Sequence, residues 1–69
     1  MFNKLEFNAQ IVRKGLRKTD VARALNIDIS TLYRKIENDG DFDRDQINTL
    51  IGLLGIEDPT PIFFADELT

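Results

Sequence analysis

Apolar residues recur three or four positions apart through most of this chain, and that spacing limits the fold more than any other feature of the sequence. Phe7 and Ile11 are four positions apart, and Leu50 and Leu54 repeat the interval. Such spacing places apolar side chains on one face of an α-helix. Outside Phe2–Phe7, no six-residue stretch alternates apolar and polar residues as a strand would. The sequence therefore predicts an all-α fold, a compact bundle of four to five short helices.

Signals for helix ends divide the chain into five helical segments. Gly55 is suited to follow a helix because glycine readily adopts the left-handed backbone found there, and Asn26 also tolerates that conformation. Asp28 is predicted as the N-cap of the third helix, and Asp43 with Gln46 forms a capping-box pattern. The predicted segments are 4–14, 18–25, 29–37, a fourth helix that ends at Leu54, and one turn that starts from Thr60 as N-cap and Pro61 as first helical residue.

The first and fourth segments each have a predicted core face. In segment 4–14, Phe7 and Ile11 share an apolar stripe with Val12, and Leu16 continues it. The predicted core residues of the fourth helix are Ile47, Leu50, Ile51 and Leu54.

Length and composition restrict what the chain can do. A chain of 69 residues supports one domain with a small core. It contains no Cys, which removes disulfides and thiolate metal sites, and no His, which is the commonest general base. We therefore expect no enzyme activity, no catalytic residue, no cofactor and no small-molecule substrate.

The run Asp39–Asp45 alternates aspartates in a way that resembles a calcium-binding loop. A calcium loop that opens at Asp41 would need Gly at its sixth position and Glu at its twelfth. Those positions hold Gln46 and Gly52. We therefore predict no metal site here, and interpret the run as a turn followed by the acidic start of a helix.

Nothing in the sequence suggests a membrane protein. The longest nearly unbroken apolar run, Leu50–Ile56, is too short to span a bilayer. The N-terminal residues lack the apolar stretch of a signal peptide. We expect no membrane contact and a cytoplasmic location.

Charge is distributed unevenly along the chain, although the formal net charge is only −3. Residues 1–35 contain eight basic and three acidic residues, which gives a net charge of +5. Residues 36–69 contain one basic and nine acidic residues, which gives −8. The basic half could approach phosphate, whereas the acidic half would repel nucleic acid or bind a basic protein. The alternative is that the basic and the acidic half are both solvent-exposed surfaces that bind no partner.

The second and third predicted segments form a short helix, a three-residue turn and another short helix. Ala22 is small enough to let the following helix pack closely, and Asn26 occupies the turn position that favours a left-handed backbone. This order is typical of a helix-turn-helix over residues 18–37, followed by an acidic part over 38–69 within the same domain. In such a motif the second helix presents one face to the DNA major groove.

The chain resembles a known family of small regulators over almost its whole length. Its most specific parts are the S-T-L-Y-R-K-I helix, the later F-D-R-D-Q-I segment and the terminal F-F pair. They resemble the small Cro/CI-type (XRE-like) helix-turn-helix regulators of temperate phages of Gram-positive bacteria, which include the modulator-of-repression type of lactococcal phage protein. The residues that carry the resemblance are Gly15, Leu16, Val21, Ala22, Leu25, Asn26, Ile27, Ser30–Ile36, Phe42, Ile47, Leu54, Gly55, Ile56, Phe63 and Phe64.

The resemblance implies a DNA-binding surface centred on the third helix. The residues that match the base-facing positions of the family are Ile29, Ser30, Tyr33 and Arg34. Those that match backbone-facing positions are Lys18, Thr19, Thr31 and Asn38, with Arg44 near the start of the fourth helix as a further phosphate contact. The chain departs from the family pattern at Lys18, where Gln is frequent, at Asn26, where Gly is usual, and at Asp28, where Ser or Thr is usual.

The resemblance implies two functions. The first is a transcriptional regulator in a lysis/lysogeny switch of a bacterial host, which binds operator DNA as a homodimer with helix 29–37 in the major groove. The second is a modulator or antirepressor that uses the same fold to bind a partner CI-type repressor and alter its DNA binding, with the acidic half complementary to a basic partner surface. The residues assigned to partner binding are Glu37, Asp41, Asp43, Phe63 and Phe64.

Several of these candidates also have a purely structural interpretation. Arg34 could be a solvated helix arginine, Tyr33 could lie over the helix as part of the core, and Ser30 could simply favour the first helical turn. Of Phe63 and Phe64, we expect at least one to belong to the core.

Overall fold

The computed structural model describes residues 1–65, and every regular element within them is a helix. The five helices are α1 (Lys4–Arg13), α2 (Lys18–Leu25), α3 (Ile29–Glu37), α4 (Arg44–Leu54) and α5 (Thr60–Phe63). The prediction of an all-α bundle of short helices is confirmed. In this part of the chain, no helix has both the length and the apolar character needed to cross a membrane.

Most helix ends follow the local signals in the sequence. Asn26 has a φ of 57° and ends α2 in the left-handed conformation, and Gly55 ends α4 with a φ of 60°. At the start of α4, the Gln46 N–H donates to the Asp43 carboxylate at 2.8 Å, and the Asp43 N–H donates to the Gln46 side-chain oxygen at 3.1 Å. The predicted capping box is therefore present.

The predicted N-cap of α3 is confirmed in position, whereas the predicted N-cap of the last helix is wrong. Asp28 occupies the N-cap position of α3, but its carboxylate accepts no capping hydrogen bond. The last helix begins at Thr60 and has Pro59 as its N-cap, so Thr60 is not the cap itself. Instead, the Asp58 carboxylate accepts a hydrogen bond from the Thr60 N–H at 3.0 Å. This bond satisfies the N–H of the first helical residue, while the Ile62 and Phe63 N–H groups donate to the Pro59 carbonyl oxygen.

The core is apolar and centres on four phenylalanines. Phe2, Phe7, Phe42 and Phe63 all contact one another, with ring centroids 5.2 to 6.4 Å apart. Aromatic rings at such distances and tilted angles pack favourably. The other buried apolar residues among residues 1–65 are Ile11, Val21, Ala22, Leu32, Ile36, Leu50, Leu54, Ile56 and Ile62.

The residues before α1 connect three parts of the molecule. The Asn3 N–H donates to the Ile62 carbonyl oxygen at 2.7 Å, and the Ala65 N–H donates to the Met1 carbonyl oxygen at 2.9 Å. The Phe2 N–H donates to the Asp39 carboxylate at 3.0 Å. Residues 1–3 therefore lie outside α1 and hold the α5 region and the α3–α4 turn together.

The predicted core face of α1 is partly wrong. Phe7 and Ile11 are buried as expected, but Val12 is 73% exposed. Leu16, after the helix, is half-buried and packs against the core. Because neighbouring residues of a helix are ~100° apart around its axis, a helix that turns Ile11 fully inward carries Val12 outward.

Candidate nucleic-acid interface

The α2–α3 unit is held in place by small and apolar residues. Val21 and Ala22 of α2 and Leu32 of α3 are all buried. Between the helices, the Ile27 N–H donates to the Ala22 carbonyl oxygen at 3.0 Å, while Asn26 takes the left-handed conformation. The bounds of both helices match the predicted segments 18–25 and 29–37.

The four predicted base-facing residues lie together on the exposed side of α3. Ile29 is 36% exposed and Tyr33 is 50% exposed, and Ser30 and Arg34 are also exposed. Leu32 and Ile36 on the same helix are buried, which fixes its orientation on the core. Since side chains four apart stack along one face, Ile29 and Tyr33 are neighbours, as are Ser30 and Arg34.

Lys18 connects the start of α2 to this face. Its Nζ lies 5.9 Å from the centroid of the Tyr33 ring, which is within the range of a cation–π interaction. Thr19, the next predicted backbone-facing residue, is exposed in the first turn of α2. The structure thus brings Lys18 to the predicted base-facing residues.

Three other predicted DNA contacts are placed differently. Thr31 is half-buried and lines a shallow surface depression with Arg23 and Asn26. Asn38 is exposed at the C-terminal end of α3, ~12 Å along the helix axis from Ser30. Arg44 is exposed as the first residue of α4. Thr31 is thus partly withdrawn from solvent, and Asn38 and Arg44 lie outside the bounds of α3.

The charges near this face are mixed. The Asp20 carboxylate accepts a hydrogen bond from the Arg17 N–H at 2.9 Å and lies 3.5 Å from the Arg23 guanidinium. Arg34 forms no salt bridge within residues 1–65, so its guanidinium can meet another acceptor. Arg23 is not among the predicted DNA contacts, although its position one turn after Thr19 on α2 marks it as a neighbour of this surface.

Two of the three acidic candidates for partner binding use their carboxylates within the fold. Glu37 forms a salt bridge with Lys4 of α1, with Nζ 3.1 Å from Oε1. Asp43 caps α4. Asp41 is exposed, and its carbonyl oxygen accepts a hydrogen bond from the Lys35 Nζ at 3.0 Å. Of the three carboxylates, that of Asp41 is the one with no hydrogen bond or salt bridge within residues 1–65.

The two aromatic candidates for partner binding differ in how far they are buried. Phe63 is 7% exposed and belongs to the phenylalanine core, whereas Phe64 is 39% exposed. Their ring centroids are 6.5 Å apart. The expectation that at least one of the pair is a core residue is confirmed, and Phe64 is the one that a partner could reach.

Helix α1 carries exposed apolar residues that were not predicted as a site. Leu5 is 81% exposed and Val12 is 73% exposed, and both lie on α1. The signal was available, because Leu5, Ala9 and Val12 are spaced four and three residues apart and so share one helix face. That face lies outside the α2–α3 unit.

Comparison with protein-family models, with curated proteins and with solved structures finds no match to this chain. Within residues 1–65, no three acidic side chains lie close enough together to hold a metal ion. The geometry of the α2–α3 unit and the sequence motifs are therefore the basis for a functional hypothesis.

Proposed function

We propose that this protein is a helix-turn-helix transcriptional regulator that binds operator DNA in a phage lysis/lysogeny switch, within the cytoplasm of a bacterial host. The observation that carries the proposal is the exposed face of α3. Ser30, Tyr33 and Arg34 project from it together, while Leu32 and Ile36 hold the helix on the core. The resemblance to Cro/CI-type regulators supports the same assignment.

In this proposal α3 enters the major groove, which is wide enough for a helix. Arg34 donates two hydrogen bonds to one guanine, and Ser30 donates to or accepts from a base edge. Ile29 has no polar side-chain atom and contacts a thymine methyl group. Reading of the DNA sequence thus depends on exposed side chains of one helix.

Phosphate contacts come from α2 in this arrangement. Lys18 and Thr19 lie in its first turn, where backbone N–H groups also point outward and favour an anion. A lysine at the start of a helix is disfavoured by the helix dipole, and a phosphate beside it would remove that cost. These contacts position α3 without reading the DNA sequence.

The proposal is tested by selecting binding sites from a random DNA pool and measuring affinity with the selected site. We expect Arg34→Ala to lower affinity for the selected site by roughly tenfold or more, because one bidentate contact contributes ~1–3 kcal/mol of discrimination. The matched variant Arg34→Lys keeps the charge but not the bidentate geometry, so it should retain non-specific binding and lose sequence preference. If Arg34→Ala binds the selected site as the parent chain does, α3 is not the reading helix.

A second candidate function is a modulator that binds a partner repressor of the CI type through the same fold. The observation that favours it is the exposed pair Ile29 and Tyr33, which puts apolar surface on the exposed face of α3. Apolar and aromatic groups of this kind are typical of protein interfaces. The exposed carboxylate of Asp41 would face a basic partner surface.

The two functions are separated by asking what the chain binds alone. The modulator would select no DNA site by itself and would co-elute with the repressor encoded beside it. Asp41→Lys should then weaken that complex, more strongly at low salt. Glu57→Lys, an equal charge change at another exposed position, serves as the control and should leave the complex unchanged.

A further inference from the structure

Helix α1 has a second apolar face that points away from the core. Leu5, Ala9 and Val12 follow each other at intervals of four and three residues, and Leu5 and Val12 are 81% and 73% exposed. Phe7 and Ile11, on the other side of the helix, are 0% and 2% exposed. A single exposed leucine is ordinary, but two large apolar side chains aligned on one helix face form a stripe. We call Leu5, Ala9 and Val12 the outer stripe.

The outer stripe is suited to close helix packing. Leu5 and Val12 stand at its two ends, ~10.5 Å apart along the axis, and the small Ala9 lies between them. A small central residue lets another helix approach, since the distance between packed helices depends on the side chains at the contact. A helix that binds here needs apolar groups at the same spacing.

Opposite charges border one edge of the outer stripe. Glu6 and Arg13 lie seven residues apart on α1, beside Leu5 and Val12 respectively, and their side chains form a salt bridge with Nη1 2.8 Å from Oε1. The acidic group thus stands near the first end of the stripe and the basic group near the second. A second α1 that runs antiparallel presents these charges in the opposite order. Each charge would then lie beside one of opposite sign.

We propose that the outer stripe is a self-association surface, on which α1 packs antiparallel to α1 of a second copy of this chain around a two-fold axis near Ala9. Leu5 of each copy then meets Val12 of the other. The two-fold axis keeps the charged edges on the same side, so Glu6 of each copy lies beside Arg13 of the other. Apolar and ionic complementarity arise together from one symmetry operation, which is the property of an isologous interface.

The apolar contact of this dimer is small, so the dimer is weak. Two helices that meet over two turns bury less than the ~1,000 Å² typical of a stable interface. We therefore expect association in the range of about 10 μM to about 1 mM. This inference does not depend on the proposed function, because α1 lies outside the α2–α3 unit.

Sedimentation velocity of the full chain over that concentration range gives the first test. We expect the sedimentation coefficient to rise with concentration, and Val12→Asp to reduce the association constant by about tenfold or more. Val12 is exposed, so this variant should keep the circular dichroism spectrum of the parent chain. Asn48→Asp on α4 adds the same charge at another exposed position and should associate as the parent does. A parent chain that stays monomeric throughout, or a Val12→Asp variant that associates equally well, overturns the proposal and leaves the face to a different protein.

Charge variants give a second test that intrachain effects cannot imitate. Glu6→Arg places two arginines on the edge of α1, and Arg13→Glu places two glutamates there. Both variants lose the intrachain Glu6–Arg13 bridge, and each should self-associate about tenfold more weakly than the parent because like charges face each other. Mixed together, they should form a heterodimer more tightly than either associates alone, and added salt should reduce the difference. Equal association in the mixture and in the separate variants would rule out the antiparallel register.

Discussion

Phe2 lies outside the helices, yet its side chain packs against the three other phenylalanines of the core. Its ring packs against Phe7, Phe42 and Phe63 at centroid distances of 5.2, 6.0 and 5.8 Å. It also lies directly against Gly40, where a Cβ atom would overlap the ring. Gly40 also has a φ of 64°, which favours glycine. The turn after α3 thus requires glycine both for its backbone conformation and for the space that Phe2 occupies.

We predict that Phe2→Ala lowers the free energy of unfolding by ~3–5 kcal/mol, because it leaves a cavity among three other rings. In a chain this small, that loss is a large part of the total stability. The control is Phe64→Ala, whose ring is 39% exposed and which should cost much less. Urea denaturation followed by circular dichroism measures both variants, and equal losses would mean that the phenylalanine cluster does not stabilise the fold as described.

At the scale of the elements, α4 shows what local signals can define. Asp43 and Gln46 cap its start, and Gly55 ends it in the left-handed conformation. Leu50 and Leu54 are buried, as their spacing predicts. The start and the end of α4 could therefore be read from the sequence, because caps and terminal glycines act within a few residues of each other.

Two glycines of α4 should respond in opposite ways to the same substitution. Gly52 lies inside the helix with open space around it, so Gly52→Ala should raise the free energy of unfolding by ~0.5–1 kcal/mol. Gly55 has a φ of 60°, so Gly55→Ala should lower it by ~1–2 kcal/mol. The Lys14 side chain also lies close to Gly55, but its flexible end can move aside. Thermal denaturation of the two variants provides the comparison, and a stabilising Gly55→Ala would contradict the assigned end of α4.

Across the whole molecule, the fold brings basic residues of the first half of the sequence next to acidic residues of the second half. Lys4 of the basic half pairs with Glu37 of the acidic half, so part of the charge asymmetry is cancelled on the surface. Lys18 and Arg34 form no salt bridge within residues 1–65. Both belong to the α2–α3 unit, and this local positive charge matters more for a phosphate partner than the net charge of the chain.

If α2 contacts phosphate as proposed, Lys18→Ala should weaken DNA binding about equally for all DNA sequences. It should also reduce the slope of log affinity against log salt concentration by about one. Lys14→Ala removes the same charge just after α1, outside the α2–α3 unit, and should leave the slope unchanged. Fluorescence anisotropy across a salt series gives both slopes, and an unchanged slope for Lys18→Ala would remove Lys18 from the DNA contact.

The helical class of the fold, the bounds of α2 and α3, and the capping of α4 could be predicted from residue spacing and from contacts between near neighbours in the sequence. Three features instead depend on the folded core: Phe2 is buried in it, Val12 faces outward, and Lys18 at the start of α2 lies over Tyr33. Each of these outcomes depends on residues distant in sequence. The pairing of Phe2 with Asp39 and the packing of its ring on Phe63 leave no local pattern, because distant segments come together only when the core forms.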